Sequence, residues 1–294
     1  MQKTRYRKGR KGRKGAIHTQ KQRKVPLEQI THCHPSNKDT RSNRCLPTTV
    51  YDQVAKSVGA SPTDNLFQKV GCQEGEDHCL IDNSNMQDTE KKQLRKQYLR
   101  PKQPNEWVAK PNTWLDNFNI KEVMEQYEIS HTWFKFLGVF PIDFSVPDPY
   151  IKGGPKQCLY KETCNLNLKE EYSKGKRGIG MIFNLDEHYK GGSHWVGLYI
   201  DLHNIKKPFV GYFDSYGYKV PAMIARLMRA LKLQIKSCSL GYNARRFQTG
   251  GSECGMFSLY FIICMIHGIS FKDFCKDSVN DEYMLQLRQV IFSR

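Results

Sequence analysis

Phe247-Gln248-Thr249-Gly250-Gly251-Ser252-Glu253-Cys254-Gly255-Met256 is a polar, glycine-rich loop that delivers a cysteine to the start of a very apolar stretch. The stretch from Met256 to His267 is apolar at almost every position. A helix that is apolar on all sides is a buried helix, and Gly268 supplies its C-terminal stop. Cys254 then falls in the first turn, where unpaired backbone N–H groups and the positive end of the dipole favour a thiolate. Buried structural cysteines are commoner than reactive ones. Cys254 therefore reads as a nucleophile only if the chain supplies it with partners.

Those partners lie upstream. His194-Trp195 opens one apolar run, residues 194–202, and Asp214-Ser215 closes the next, residues 209–214. The link from His203 to Pro208 is short enough for an antiparallel hairpin. His194 and Asp214 are symmetric about Asn204, and residues mirrored across such a turn sit opposite one another on one face. A one-residue slip would put them on opposite faces. A cysteine nucleophile needs a base, and the base needs a third group to fix its orientation. Cys254, His194 and Asp214 fill those roles in turn. Gln248 can direct its amide N–H at a developing oxyanion together with the backbone N–H of Cys254. Singly, each has a plainer role, such as a turn-forming aspartate. Their conjunction carries the reading.

Around this centre, residues 179–185 read as a further strand, and Leu233 to Cys238 as another. Between them Val220-Pro221 opens a helix with Met223, Ile224, Leu227, Met228 and Leu231 at helical spacing. A final helix carries Met284, Leu287, Arg288 and Ile291. Strands in series with helices flanking them give an α+β fold. Earlier in the chain, Asn119 and Glu122 resemble a capping box, with Ile120, Val123, Met124 and Tyr127 on one helical face behind it. Trp114 and Leu115 should anchor that helix to the core. Residues 134–144 read as a strand or edge segment, and 145–177 as an exposed insertion. The organisation is a basic disordered tail over 1–40, a small helical region over 41–105 and a catalytic domain over 106–294.

The formal net charge of +17 is unevenly placed, because residues 1–24 hold eleven Lys or Arg and no acid. Such an arm suits non-specific phosphate contact or nuclear targeting. No apolar run follows it, which excludes a secretory signal, and residues 256–266 are too few to span a bilayer. An intracellular, reducing location makes the ten cysteines free thiols. His32, Cys33, His34 and Cys45, like Cys72, His78 and Cys79, lack the paired spacings of a zinc site. No metal and no cofactor are expected.

Three stretches carry a family resemblance: GSHWVGLYID at 192–201, GYFDSYG at 211–217 and FQTGGSECGMFSLYFI at 247–262. Together they resemble the Ulp1-like and adenain-like cysteine peptidases, whose functional residues come in the order His, Asp, Gln, Cys. The resemblance makes His194 the base, Asp214 its orienting partner, Gln248 the oxyanion donor and Cys254 the nucleophile. Trp195 becomes the aromatic residue covering the site, with Gly255 beside it as a substrate contact. NTWLDNFNIKEVMEQYE at 112–128, FKFLGVFPIDF at 134–144 and CLPTTVYDQVAKSVGA at 45–60 look most like the versions encoded by large nucleocytoplasmic DNA viruses. The likeness covers roughly residues 45–294 and implies a papain-like core.

Viral members of that family are packaged in particles and mature core or capsid polyproteins, commonly after Gly-Gly. The resemblance thus implies a monomeric endopeptidase of the virion and host cytoplasm, with the basic tail also compatible with the nucleus. Cellular relatives remove ubiquitin-like modifiers, so an isopeptidase acting on SUMO or a similar modifier is the alternative substrate class. An acetyltransferase would need a cofactor pocket that the chain does not evidently have. A basic nucleic-acid-binding virion protein without turnover is the alternative of another kind, and four complete catalytic positions argue against it.

Overall fold

The computed structural model of the protein describes residues 22–37, 44–151 and 157–293. Residues 1–21, most of the basic tail, lie outside the described residues, and so does the nucleic-acid reading of that arm. The segment just after residue 21 is not a loose tail. The Lys24 ammonium donates to the Phe274 carbonyl and sits 3.4 Å from the centre of the Phe274 ring, and burial lowers its pKa to about 8. Val25 is buried, and its carbonyl accepts from the hydroxyls of Tyr260 and Tyr283, both at 2.7 Å. The expectation of a disordered tail to residue 40 therefore fails over the described residues 23–37, because the aromatic back of the core offers the start of that segment partners. The truncations to compare begin at residue 22 and at residue 31. Deleting 1–30 should cost on the order of 4 kcal/mol, from lost apolar burial and an orphaned Tyr260 hydroxyl. Urea midpoints of the two truncations check this.

Four helices come next: α1 (Thr48–Ser57), α2 (Leu66–Lys69), α3 (Asp77–Asp82) and α4 (Asp88–Tyr98). They enclose a small core of their own, including Leu46, Val50, Val54, Phe67, Leu80, Ile81 and Leu99. Disulfides join Cys33 to Cys45 and Cys72 to Cys79, and a third joins Cys158 to Cys164. This corrects the expectation of free thiols. The inference from compartment ignored geometry: a small core that buries little surface is one that covalent staples support. Cys238, Cys254, Cys264 and Cys275 remain free.

Beyond α5 (Glu106–Ala109) and α6 (Asn117–Ser130) comes the sheet. Asp116, not Asn119, caps α6: its carboxylate accepts from the Asn119 N–H at 2.7 Å while the Asn119 side chain accepts from the Asp116 N–H at 3.1 Å. The box is real but begins three residues earlier than Asn119 and Glu122 imply. Strands β1 (Phe134–Pro141), β2 (Gly178–Asn184), β3 (Trp195–Asp201), β4 (Phe209–Phe213) and β5 (Ser239–Tyr242) lie in spatial order β1-β2-β3-β4-β5. The outer pairs are parallel and the inner ones antiparallel.

Parallel neighbours demand a crossover, which explains what residues 145–177 do. They hold α7 (Lys161–Cys164) and α8 (Leu168–Ser173), and bury Leu166 and Leu168. The exposed-insertion expectation is thus corrected: Gln234 donates to the Leu166 carbonyl at 2.7 Å and accepts from the Leu168 N–H at 2.8 Å. Gln234 ends α9 (Ala222–Gln234), the second crossover, and that helix consumes the start of the strand expected at Leu233–Cys238. The strand forms later, as β5.

The opposite face of the sheet carries α10 (Cys254–Ile266), flanked by α6, α11 (Phe271–Phe274) and α12 (Asp281–Ile291). Every residue of α10 is buried, and Gly268 beyond it adopts φ +79°, as a glycine stop requires. Gly197 lets this helix approach β3, since a Cβ there would stand 2.8 Å from Cδ1 of Phe261. That ring is fully buried. Gly197→Ala should therefore destabilise by roughly 1–3 kcal/mol through overpacking, read as a lower urea midpoint with an unchanged slope.

Candidate active site

The hairpin that brings His194 to Asp214 has a register slightly different from the symmetric one. Asp201 pairs with Phe209 and Gly197 with Phe213, so the centre is Ile205 rather than Asn204. Asp214 falls level with Val196, two residues from His194. A two-residue offset keeps the face, and diagonal neighbours remain within reach. His194 Nε2 lies 2.9 Å from Asp214 Oδ1. Both groups sit just beyond the paired strand ends, His194 at 11% side-chain exposure and Asp214 at 1%.

Asp214 is held from several directions. Its N–H donates to Asn243 Oδ1 and its carbonyl accepts from Asn243 Nδ2, both at 2.8 Å. Oδ1 also accepts from the Tyr216 N–H at 2.8 Å. The Tyr216 ring stacks on His194 with centroids 5.0 Å apart, and its hydroxyl donates to the Gly250 carbonyl at 2.7 Å. Neither Asn243 nor Tyr216 stands out in the sequence, because their roles arise only once two distant loops meet.

Cys254 opens α10 and is buried at 2% exposure. Its sulfur interacts with the His194 imidazole closely enough to raise the ring's pKa. With Nε2 engaged by Asp214, the His194 nitrogen left for the sulfur is Nδ1. Burial pulls the His194 imidazole down, but hydrogen bonds and charge from Asp214 and Cys254 outweigh it and raise it to about 9. At neutral pH the ring is an imidazolium, flanked by a carboxylate and a sulfur.

Gln248 is fully buried. Its Oε1 accepts from the Ser215 hydroxyl at 2.7 Å, which fixes the amide orientation, and its Nε2 donates to the Gly250 carbonyl at 2.9 Å. An amide nitrogen has two N–H donors, so one remains for a ligand. Ser215 follows Asp214 directly, and its carbonyl accepts from the N–H groups of Phe247 and Gln248 at 2.8 and 2.9 Å. The Asp214 and Gln248 loops are thus one unit.

Trp195 is 7% exposed, and its indole N–H donates to the Leu115 carbonyl at 2.8 Å. Gly255 admits Leu115, whose Cβ and Cδ1 would stand 3.0 Å from an added Cβ. Trp114 differs from expectation. It is 47% exposed and does not anchor α6; Leu115 alone points into the core. With Trp195, Trp114 lines a groove of about 370 Å³ whose walls include Leu115, Asp116, Asn184 and His188. A solvent-facing tryptophan next to Leu115, which packs on Gly255, is the groove residue that sequence periodicity missed. Of the two candidate metal clusters, His32, Cys33 and Cys45 do converge, but the two sulfurs are bonded to each other.

A mixed sheet, a buried helix headed by cysteine and a hairpin pairing histidine with aspartate define a cysteine peptidase domain. Residues 147–292 match the Ulp1 protease family, C-terminal catalytic domain. Those residues form a cysteine peptidase domain of that family. The chain is 29% identical over 196 residues to a protein of Acanthamoeba polyphaga mimivirus named as a thiol protease, covering 64% of this chain and 59% of that protein's length. It is 26% identical over 189 residues to the cysteine protease of African swine fever virus, covering 60% and 67%, and in other isolates that protein is named SUMO-1 cysteine protease. The crystal structure of the African swine fever virus protease superposes with a TM-score of 0.67 at 21% identity, over 91% of this chain and 98% of that one. At that identity the superposition speaks for the fold.

Proposed function

We propose that this protein is an endopeptidase that matures viral core or capsid polyproteins by cutting after Gly-Gly. The observation that carries the reading is the convergence of Cys254, His194 and Asp214 beside a groove walled by two tryptophans. In this reading the Cys254 sulfur attacks the carbonyl carbon of the second glycine. The oxyanion is met by the spare Gln248 N–H and the Cys254 backbone N–H. His194 gives its proton to the departing amine, leaving a thioester. It then takes a proton from water as that water attacks, releasing the acid and the sulfur and returning the ring to its starting imidazolium form. Asp214 orients the imidazole throughout. In this reading the two tryptophans that wall the groove disfavour side chains at the two glycine positions.

The site of action in this proposal is the particle and the host cytoplasm, with residues 1–21 contacting nucleic acid through charge alone. A second reading, removal of a SUMO-like modifier, is favoured by the name that some African swine fever virus relatives carry. The deciding experiment offers the protein a Gly-Gly-X peptide from a structural polyprotein and a linear modifier fusion, with cleavage sites mapped by mass spectrometry. Cutting of the peptide after Gly-Gly is expected. Processing of the fusion alone would replace the maturation reading with the second one.

A further inference from the structure

Arg288 lies on α12, outside the triad, and is nevertheless joined to it. Its Nη2 holds both carboxylate oxygens of Glu253, at 3.1 and 2.9 Å, with the two side chains 5% and 2% exposed. Glu253 immediately precedes Cys254, and its carbonyl accepts the Phe257 N–H at 2.9 Å in the first turn of α10. The same guanidinium donates through Nη1 to the Thr113 carbonyl at 2.8 Å and lies 4.5 Å from the centre of the Trp107 ring. Thr113 precedes Trp114, and Leu115 on its other side is held by the Trp195 indole. Trp114 is therefore suspended between two anchors, one reaching back to the nucleophile's helix and the other to the strand that begins after the base.

A buried ion pair is weak evidence of stabilisation, since desolvation offsets much of its attraction. This one is placed at a functional junction instead. Glu253 is an acid beside the residue that must carry negative charge, at the helix end where a thiolate is otherwise favoured. Arg288 neutralises it. The guanidinium's planar fork also lets one side chain satisfy a carboxylate and a carbonyl at fixed geometry, which an ammonium cannot do. We infer that Arg288 is a positioning residue: through Glu253 and the Thr113 carbonyl it sets Cys254 against the Trp114 wall and so fixes the clearance for the substrate's glycines. The inference rests on the Gly-Gly peptidase reading and deepens it.

The test compares two reagents that modify the same sulfur. Iodoacetamide needs only a reactive Cys254, whereas a Gly-Gly vinyl sulfone must also pass the wall. In Arg288→Lys, which keeps the charge but not the fork, vinyl sulfone modification should slow about 30-fold, the scale of an ångström-sized misplacement. Iodoacetamide should slow less than about 3-fold, since it asks nothing of the wall, and hydrogen exchange at residues 113–117 should speed up. Glu253→Gln, nearly isosteric, should shift vinyl sulfone modification in the same direction. Parallel loss with both reagents would reduce Arg288 to a structural residue, and no loss with either would remove the role. If wild-type protein reacts with iodoacetamide but not with the Gly-Gly reagent, the substrate reading fails. The clamp is then judged on exchange alone: faster exchange at 113–117 in Arg288→Lys supports it, and unchanged exchange overturns it.

Discussion

Cys254→Ala is expected to abolish peptide cleavage, lowering kcat/KM by at least about 10⁴-fold, while leaving the fold intact. The chemistry has no evident substitute nucleophile: Cys238 and Cys264 are buried in the core, and burial pushes the Cys264 and Cys275 thiols up to about 11. The structural cost is small because little of Cys254 beyond its sulfur is lost. Its carbonyl still accepts the Ser258 hydroxyl at 3.0 Å, and α10 remains buried along its whole length. Loss of one heavy atom should cost ~1 kcal/mol or less, a shift in Tm of a few degrees. Peptide turnover with matched calorimetric scans checks both halves. Residual cleavage above about 1% of wild type would refute the assigned nucleophile, because a lost triad member costs far more than that. Because residues of a triad act as a unit, adding His194→Ala to Cys254→Ala should cause almost no further loss.

The parts of this site that were legible in the sequence are those encoded locally. The apolar run after Cys254 and the glycine at 268 specify a buried, capped helix without reference to anything distant. The hairpin puts His194 and Asp214 on one face because a period of two survives an error of two residues; the same reasoning mislocated the turn by one position without consequence. What escaped is encoded by meetings between segments. Ser215, Asn243 and Tyr216 acquire their roles only when the loops after β4 and β5 come together. Trp114 and Leu115 are adjacent and both apolar, and only the room that Gly255 of α10 leaves for Leu115 decides which turns inward. Residues 145–177 look like an insertion until β1 and β2 prove parallel, which obliges a crossover. The disulfides escaped for a different reason, since an argument from compartment replaced one from local geometry.

His194→Ala and Asp214→Asn should separate the base from its orienting partner. His194→Ala removes both the proton acceptor for the thiol and the donor for the departing amine, and should lower kcat/KM by about 10³-fold or more. Asp214→Asn should cost far less, roughly 10- to 100-fold on the scale of a lost supporting charge, for a reason visible in the hydrogen bonds. Because the working ring is an imidazolium, Nε2–H needs only an acceptor. The Tyr216 N–H, which donates to Oδ1, holds an amide oxygen in that place. The amide nitrogen would then occupy the position of Oδ2, which has no hydrogen-bond partner and lies near the Tyr212 hydroxyl, itself able to accept. What the asparagine cannot supply is charge. His194 is raised to about 9 against the pull of burial, in part by the Asp214 carboxylate. The protonated ring is therefore present below about pH 9 and lost as pH rises through that value, taking with it the acid that expels the amine. The wild-type kcat/KM profile should fall on its alkaline side near pH 9. In Asp214→Asn that limb should move toward lower pH, while the Gln248 and Cys254 N–H contacts stay in place. An alkaline limb that did not move in Asp214→Asn would mean that Cys254 alone sustains the imidazolium. Equal losses in the two variants would mean that Asp214 does more than orient and charge its neighbour.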